Sequence, residues 1–234
     1  MFNVSRLKPS LTPVVGQMHR VLRRRFPDAL WMGDTSFPVV ALTFDDGPDP
    51  RDTEALLRVL DRHGVAATFF LIGERARRYP DLVRAVAEAG HQQGLHGYHH
   101  RAFPLQPAPQ LAHSLYMTQA ALAEATGQPP DQFRDVRPPY GVFTPATLKA
   151  LRGWGYRPVM WSVVPLHWRQ PARQTVREVV EQIHPGAILV LHESLEGPPV
   201  ARLADEILPR LQEAGYEFVL VNDMWQTVRP GEEP

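Results

Sequence analysis

The chain has 234 residues, and its 25 basic and 25 acidic side chains cancel to a formal net charge of zero. This balance argues against a dedicated nucleic-acid-binding protein, because such proteins normally carry a basic surplus. The absence of cysteine excludes disulfide bonds, thiolate nucleophiles and cysteine-ligated zinc. The hydrophobic content of 44% is typical of a globular domain, and the apolar runs are too short for a transmembrane helix.

The first thirty residues carry six basic side chains against a single acid, Asp28. Prolines and polar residues interrupt the apolar stretch that a secretory signal would need, so we expect a cytoplasmic or membrane-peripheral chain. The basic segment is typical of a solvated helix that covers one end of a domain, with contact to a membrane surface as the alternative. We assign residues 1–34 to a basic N-terminal extension and residues 35–234 to one folded domain.

Beyond residue 34, short β-rich runs alternate with amphipathic segments. Strands are predicted over 39–44, 67–72, 94–96, 136–138, 157–163, 187–192 and 217–221. Helices are predicted over 53–63, 81–89, 144–153, 176–183 and 203–211. Alternation of this kind indicates an α/β fold with parallel strands joined by helical crossovers. About seven strands favour a (β/α) barrel, with an open sheet as the alternative.

Reactive side chains follow these strands at the end where parallel strands share an edge, which is where α/β folds place function. Asp45 and Asp46 follow the first strand, and two adjacent carboxylates are costly unless a cation or a shared proton compensates. A turn is the simpler interpretation of Asp-Asp-Gly-Pro. The functional interpretation is a metal ligand beside a catalytic base.

Four of the ten histidines lie within residues 91–100, around the end of the third strand. His96 and His100 have a spacing at which two imidazoles can bind one metal, whereas His99 would then point elsewhere. Two imidazoles and one carboxylate are ligands for Zn²⁺, Co²⁺ or Fe²⁺. We predict one divalent ion per chain, Zn²⁺ first with Co²⁺ or another ion as alternatives. Purely structural histidines are the other interpretation.

Residues 137–141, Arg-Pro-Pro-Tyr-Gly, follow the fourth strand, and His192 ends the sixth. The two prolines stiffen the backbone, which suits a plain extended connection. The same rigidity suits an arginine clamp on Asp45 or a backbone oxyanion donor. His192 is either capped by local backbone or catalytic.

In this order, five segments resemble the motifs of polysaccharide deacetylases, carbohydrate esterase family 4. They are residues 43–48, His96-x-x-x-His100, residues 137–141, residues 161–168 and Leu191-His192. The resemblance extends over roughly residues 39–223. It implies a distorted (β/α) barrel, with residues 35–234 as the catalytic domain, and the removal of N-acetyl or related acyl groups from sugars.

The resemblance also implies a role for each matching residue. Asp45 matches the general base, Arg137 the residue that holds it, and His192 the general acid. The remaining matches are the metal ligands Asp46, His96 and His100, the oxyanion donor at the backbone N–H of Tyr140, and the acetyl-pocket residues Trp168 and Leu191. We place Pro138 and Pro139 with the substrate-binding residues.

Two positions depart from the family pattern. Gly97 stands where a serine or threonine usually follows the first metal histidine, and Val164 and His167 stand where acids are usual. The family acid at the place of His167 orients the general acid, so we expect His167 beside His192. The alternative is a solvent-facing His167, with an acid such as Asp223 supporting His192.

We therefore expect a metal-dependent hydrolase that removes N-acetyl or related acyl groups from an amino sugar or polysaccharide such as chitin oligomers or peptidoglycan. Its partner would be an acetylated carbohydrate rather than a nucleic acid. The alternative is a catalytically weak carbohydrate-binding protein that uses the same groove.

Overall fold

The computed structural model describes residues 21–193 and 196–227. Parallel strands form one curled sheet in the order β5-β4-β3-β2-β1-β6, and β7 also pairs with β1. The strands are β1 (Val39–Asp45), β2 (Thr68–Leu71), β3 (Gln92–Leu95), β4 (Asp135–Val136), β5 (Arg157–Pro158), β6 (Ala187–His192) and β7 (Glu217–Val219). All seven predicted strands are present, and the prediction of a parallel α/β fold is confirmed.

The two edges of the sheet meet through the segment that follows β5. Val163 forms a parallel bridge with Leu189 of β6, and its carbonyl accepts the Val190 N–H at 2.9 Å. The curled sheet thus becomes a distorted barrel. The fifth strand is shorter than the predicted 157–163, because Val159 pairs with Leu30 before the chain turns toward β6.

Helices accompany the sheet, and all but the last cover its outer face. They are α1 (Thr53–His63), α2 (Gly73–Arg78), α3 (Pro80–Glu88), α4 (Ala108–Thr126), α5 (Pro145–Gly153), α6 (Ala172–Gln182), α7 (Val200–Glu213) and α8 (Val221–Thr227). In α1, Leu56 and Leu60 lie one turn apart and are both fully buried. The helix ends at Gly64, whose φ of 62° is a left-handed conformation that glycine adopts without a Cβ penalty.

The long helix α4 is absent from the sequence prediction. Its apolar side chains are spread around the helix instead of forming one stripe, so the periodicity signal is weak. The structure buries Leu111, Leu115 and Leu122 of α4, which packs against α2 and α3. No helix in the described part of the chain is long and apolar enough to cross a membrane.

The inside of the barrel has its own apolar cluster. Ala41, Phe70 and Ile188 from three strands meet Val221 and Met224 of α8 there. Helix α8 therefore packs against the inside of the barrel. No helical periodicity in the sequence could indicate this position.

The predicted N-terminal extension is described only in part, since residues 1–20 lie outside the described residues. Residues 21–25 are helical, and Ala29, Leu30 and Trp31 are buried. The Leu30 N–H donates to the Pro158 carbonyl at 2.8 Å, and the Leu30 carbonyl accepts the Met160 N–H at 2.7 Å. Residues 29–31 thus pack with the barrel, and the boundary at residue 34 stays a prediction.

Candidate active site

The carboxyl ends of four strands bring the predicted site residues to one mouth of the barrel. Asp45 at the end of β1 is paired in register with His192 at the end of β6. His96 directly follows β3, and the Arg137 N–H that follows β4 donates to the Leu95 carbonyl at 2.9 Å. Because these strands run parallel in one curled sheet, residues far apart in sequence become neighbours at its carboxyl end.

Asp46, His96 and His100 form a compact group whose ligand atoms all lie within 4.8 Å of one another. Asp46 Oδ1 is 3.0 Å from His100 Nε2 and 3.4 Å from His96 Nε2. The oxygen is buried and accepts no well-aligned hydrogen bond from the described residues. An oxygen and two imidazole nitrogens that converge in this way fit a divalent cation.

The backbone around these ligands is held in unusual conformations. Asp46 has a φ of 72° and His100 a φ of 50°, both in the left-handed region. The guanidinium of Arg75 donates to the Asp46 carbonyl at 2.9 Å. Strained residues at a fixed position indicate that the surrounding structure determines their geometry.

Hydrogen bonding fixes the imidazole of His96. Its Nδ1 lies 2.8 Å from the Arg137 carbonyl, which can only accept, so Nδ1 carries the proton and Nε2 faces Asp46. Ligating histidines are commonly oriented by such an outer hydrogen bond. Although burial opposes its charge, Asp45 and Asp46 raise the pKa of His96.

The Asp46 carboxyl is held as an anion by its neighbours. Burial alone would raise its pKa, but contacts with His100 and His96 outweigh burial and hold the pKa well below its usual range. His99, by contrast, is exposed and its Nδ1 lies 2.5 Å from Glu74 Oε2. The structure therefore separates His99 from the other two histidines, as the spacing predicted.

A fully buried arginine, Arg137, binds the Asp45 carboxylate. Arg137 Nη1 donates to Asp45 Oδ1 at 2.6 Å and to the Thr43 hydroxyl at 2.8 Å, and Nη2 donates to the Met160 carbonyl at 2.9 Å. The guanidinium also lies 4.0 Å from the centroid of Phe70. Asp45 Oδ2 is left 4.0 Å from His96 Nε2, on the side of the histidines.

His192 lies at the mouth, and His167 lies behind it. The His167 side chain is 1% exposed, so the alternative of a solvent-facing residue is wrong. Its Nε2 accepts the backbone N–H of His192 at 3.0 Å, and the two rings are 5.5 Å apart. Asp223 lies on α8 and accepts the Leu220 N–H, so it does not replace the missing acid.

Burial disfavours the charged form of both imidazoles. Burial first, and then the charge of His192, lowers the pKa of His167 to about 3. Burial also lowers the pKa of His192, although Asp45 and Asp46 oppose the shift. His167 is thus neutral near pH 7 and does not repel a protonated His192. His192 therefore lacks the negatively charged neighbour that an acid at position 167 would provide.

The remaining predicted residues divide between the rim and the core. Tyr140 is exposed with a φ of 60°, and its ring centroid lies 4.6 Å from that of His100 with the rings tilted. Pro138 and Pro139 are buried. The Trp168 ring is 4.9 Å from that of His192. Leu191 is not brought to the mouth, because it packs in the core between sheet and helices.

Strand alternation explains the position of Leu191. Successive side chains of a strand point to opposite faces, so Val190 shares the side of His192 while Leu191 faces the helices. Sequence reasoning also passed over Thr43, whose hydroxyl accepts from Arg137 and donates to the Leu189 carbonyl at 2.8 Å. The same alternation places Thr43 with Asp45 and could have identified it.

Gly97, the first departure from the family pattern, is explained by the backbone. Its φ of 75° is strained for a residue with a side chain. The adjoining Tyr98 N–H donates to the Ser114 hydroxyl of α4 at 2.9 Å. A serine from the helix thus braces the loop between His96 and His100.

Comparisons with known proteins agree with this geometry. Residues 32–159 match the family model described as polysaccharide deacetylase. The peptidoglycan-N-acetylmuramic acid deacetylase PdaA of Bacillus subtilis is 31% identical over 201 residues, which cover 84% of this chain and 75% of that protein. A peptidoglycan-N-acetylglucosamine deacetylase of Bacillus cereus is 34% identical over 193 residues, covering 80% and 68%.

The crystal structure of the Bc1960 peptidoglycan N-acetylglucosamine deacetylase superposes with a TM-score of 0.82 at 30% identity. The match covers 88% of this chain and 97% of that one. The curled parallel sheet and the helices around it are therefore the (β/α) barrel of carbohydrate esterase family 4, whose members are metal-dependent. The family model matches more than half of this chain, and the chain therefore belongs to the polysaccharide deacetylase family.

Proposed function

We propose that this protein hydrolyses the N-acetyl groups of amino sugars in peptidoglycan or chitin oligomers, with residues 35–234 as its catalytic domain. The observation that carries the proposal is the convergence of Asp46, His96 and His100 beside an Asp45 carboxylate held by Arg137. The deacetylase activities of the related proteins support the same substrate class.

In this proposal Asp46, His96 and His100 hold one divalent ion, with Zn²⁺ preferred by the mixed nitrogen and oxygen ligands. A bound ion supplies Lewis acidity toward the acetyl carbonyl and toward water. The buried Asp46 oxygen without a well-aligned hydrogen bond supports the assignment, since a bound cation would satisfy it.

Asp45 is proposed as the general base. Arg137 occupies Oδ1, so Oδ2 remains to accept the proton of the attacking water. The backbone N–H of Tyr140 would donate to the oxygen that becomes negative, and the left-handed turn there sets its direction. His192 would deliver a proton to the departing sugar amine, with Trp168 and Val190 as apolar neighbours.

The activity is tested by measuring acetate release from a panel of acetylated sugars with added Zn²⁺ or Co²⁺. The panel contains chito-oligosaccharides, peptidoglycan fragments and acetylated xylan, so that amide and ester substrates are compared. We expect release from N-acetylated glycans and its loss with a chelator. Binding of these glycans without release, with either metal, would support the alternative of a carbohydrate-binding protein.

The metal ligands are tested by comparing two neighbouring histidines. His100→Ala should weaken Zn²⁺ binding by about 10²-fold or more, because outer-shell changes alone cost about 10–100-fold. His99→Ala is the matched control and should change the affinity little, since His99 is exposed and pairs with Glu74. Affinities come from competition with a chromophoric chelator. Equal losses in both variants would contradict the assignment.

The missing acid beside His192 gives a pH prediction. Burial lowers the pKa of His192. Because a general acid works only while it is protonated, the alkaline limb of the kcat/KM profile should begin at a low pH. His167→Asp supplies a negative neighbour, which raises the pKa of His192 and moves this alkaline limb to higher pH. The acidic limb should stay nearly unchanged. Identical alkaline limbs in the two proteins would rule out this effect of residue 167.

A further inference from the structure

Glu193 is a fully buried acid for which the proposed chemistry has no use. It directly follows β6, and its backbone N–H donates to the Asp45 carbonyl at 3.0 Å. Its Oε2 accepts a hydrogen bond from the Thr53 hydroxyl at the start of α1. Its Oε1 is buried and has no hydrogen-bond partner among residues 21–193 and 196–227. A buried carboxyl in this state needs an explanation.

The Glu193 carboxyl lies against the loop that carries the Asp46 ligand. A Cβ atom at Gly47 would overlap this carboxyl, so glycine is required there by close approach. On the other side of the loop, the Asp49 N–H donates to the Thr53 hydroxyl at 2.8 Å, and the Ile72 N–H donates to the Gly47 carbonyl at 2.8 Å. The carboxyl therefore fills the space between residues 46–49 and α1.

The charges around Glu193 disfavour its ionised form. Asp49 and Asp52 face it from the loop and from the start of α1. The nearby cations Arg51 and Arg75 lie 3.2 and 3.8 Å from the Asp49 carboxylate. Burial, followed by these acids and opposed by the hydrogen bond from Thr53, raises the pKa of Glu193 to about 8. The side chain is therefore a neutral acid at pH 7.

We propose that Glu193 is a positioning residue: its buried carboxyl, packed against Gly47 and Thr53, supports loop 46–49 and so fixes the Asp45 and Asp46 carboxylates. When it ionises, a buried negative charge arises beside Asp49 and Asp52, and the loop loses its support. The inference deepens the proposed function and rests on it for the activity measurement alone. Stability and metal affinity test it independently of turnover.

The first experiment follows the unfolding equilibrium of the wild type and of Glu193→Gln by urea titration between pH 5 and pH 8. An acid whose pKa rises from 4.5 to about 8 on folding makes the wild type less stable as the pH rises through this interval. Between pH 5 and pH 8 the unfolding constant of the wild type should increase about 10²-fold relative to that of Glu193→Gln, which cannot ionise at this position. Glu196→Gln, a change of an exposed acid, is the matched control and should behave like the wild type.

The second experiment measures Zn²⁺ affinity and kcat/KM at pH 7 and pH 9. Glu193→Gln keeps the shape of the neutral acid, so it should retain turnover within about tenfold at pH 7. From pH 7 to pH 9 the Zn²⁺ affinity of Glu193→Gln should rise about tenfold relative to that of the wild type. Glu193→Ala removes the support and should lower kcat more than it changes KM, with rescue by the glutamine variant.

Parallel pH dependences of unfolding and of Zn²⁺ affinity in the wild type and Glu193→Gln would overturn the inference. Absence of acetate release from every glycan would instead overturn the proposed function. In that case the unfolding and Zn²⁺ measurements still decide the role of Glu193.

Discussion

Asp45→Asn is expected to lower kcat about 10²–10⁴-fold while the Zn²⁺ affinity changes little, the range found for loss of a general base. The amide keeps the volume of the carboxylate and can still contact Arg137, which donates to Oδ1 at 2.6 Å. It cannot accept the proton that Oδ2 is proposed to take. Single-turnover acetate release at saturating Zn²⁺ measures the loss.

Asp46→Asn provides the comparison for this change, because it alters the adjacent carboxylate in the same way. Its first effect should be on Zn²⁺ affinity, since Asp46 Oδ1 contacts both His96 and His100. Turnover by Asp46→Asn should recover in part at high Zn²⁺, whereas that of Asp45→Asn should not. Full turnover by Asp45→Asn would exclude Asp45 as the base.

Arg137→Ala is expected to reduce both stability and turnover. The guanidinium is fully buried and bonded to Asp45, Thr43 and the Met160 carbonyl. Removing one partner of a buried ion pair leaves the other charge uncompensated, which typically costs about 3–5 kcal/mol in unfolding free energy. Turnover should fall as in Asp45→Asn, because the carboxylate is no longer held in place.

Urea unfolding of Arg137→Ala and of Arg152→Ala separates this effect from the loss of any arginine. Arg152 pairs with Asp28 at the surface, with about half of each side chain exposed, so its removal should cost less than about 1 kcal/mol. Equal losses of stability would mean that the buried network around Arg137 contributes no more than a surface pair. The measurement requires only folded protein and no substrate.

The features that the sequence predicted correctly depend on local patterns. Apolar runs identified the strands, and helix α1 (Thr53–His63) was predicted with its bounds. The placement of Asp46, His96 and His100 near one another followed from the parallel topology, since each lies just after a strand that shares the same edge. Local alternation and strand ends are thus enough to locate the mouth of the barrel.

The predictions that differed from the structure concern contacts made by distant residues. His167 lies beside His192 as predicted, but its Nε2 accepts the His192 backbone N–H, a contact that the sequence did not indicate. Leu191 was placed at the mouth, yet it faces the helices and belongs to the main core. Helix α4 buries one face, but apolar side chains such as the exposed Tyr116 also occupy its other positions, so no single stripe stands out in its sequence. Each outcome depends on which neighbour the fold supplies.

The sequence by itself determined the α/β alternation, the strand ends that carry Asp45, Asp46, His96, Arg137 and His192, and the family to which they point, because these follow from periodicity and from the order of residues. The tertiary structure alone decided the burial of Arg137 and of Glu193, and with it the charge state of Glu193. Burial of an ionisable group is set by the packing of segments distant in sequence, so no local pattern carries it. For Glu193 this packing, against Gly47 and Thr53, makes an ordinary acid neutral at pH 7.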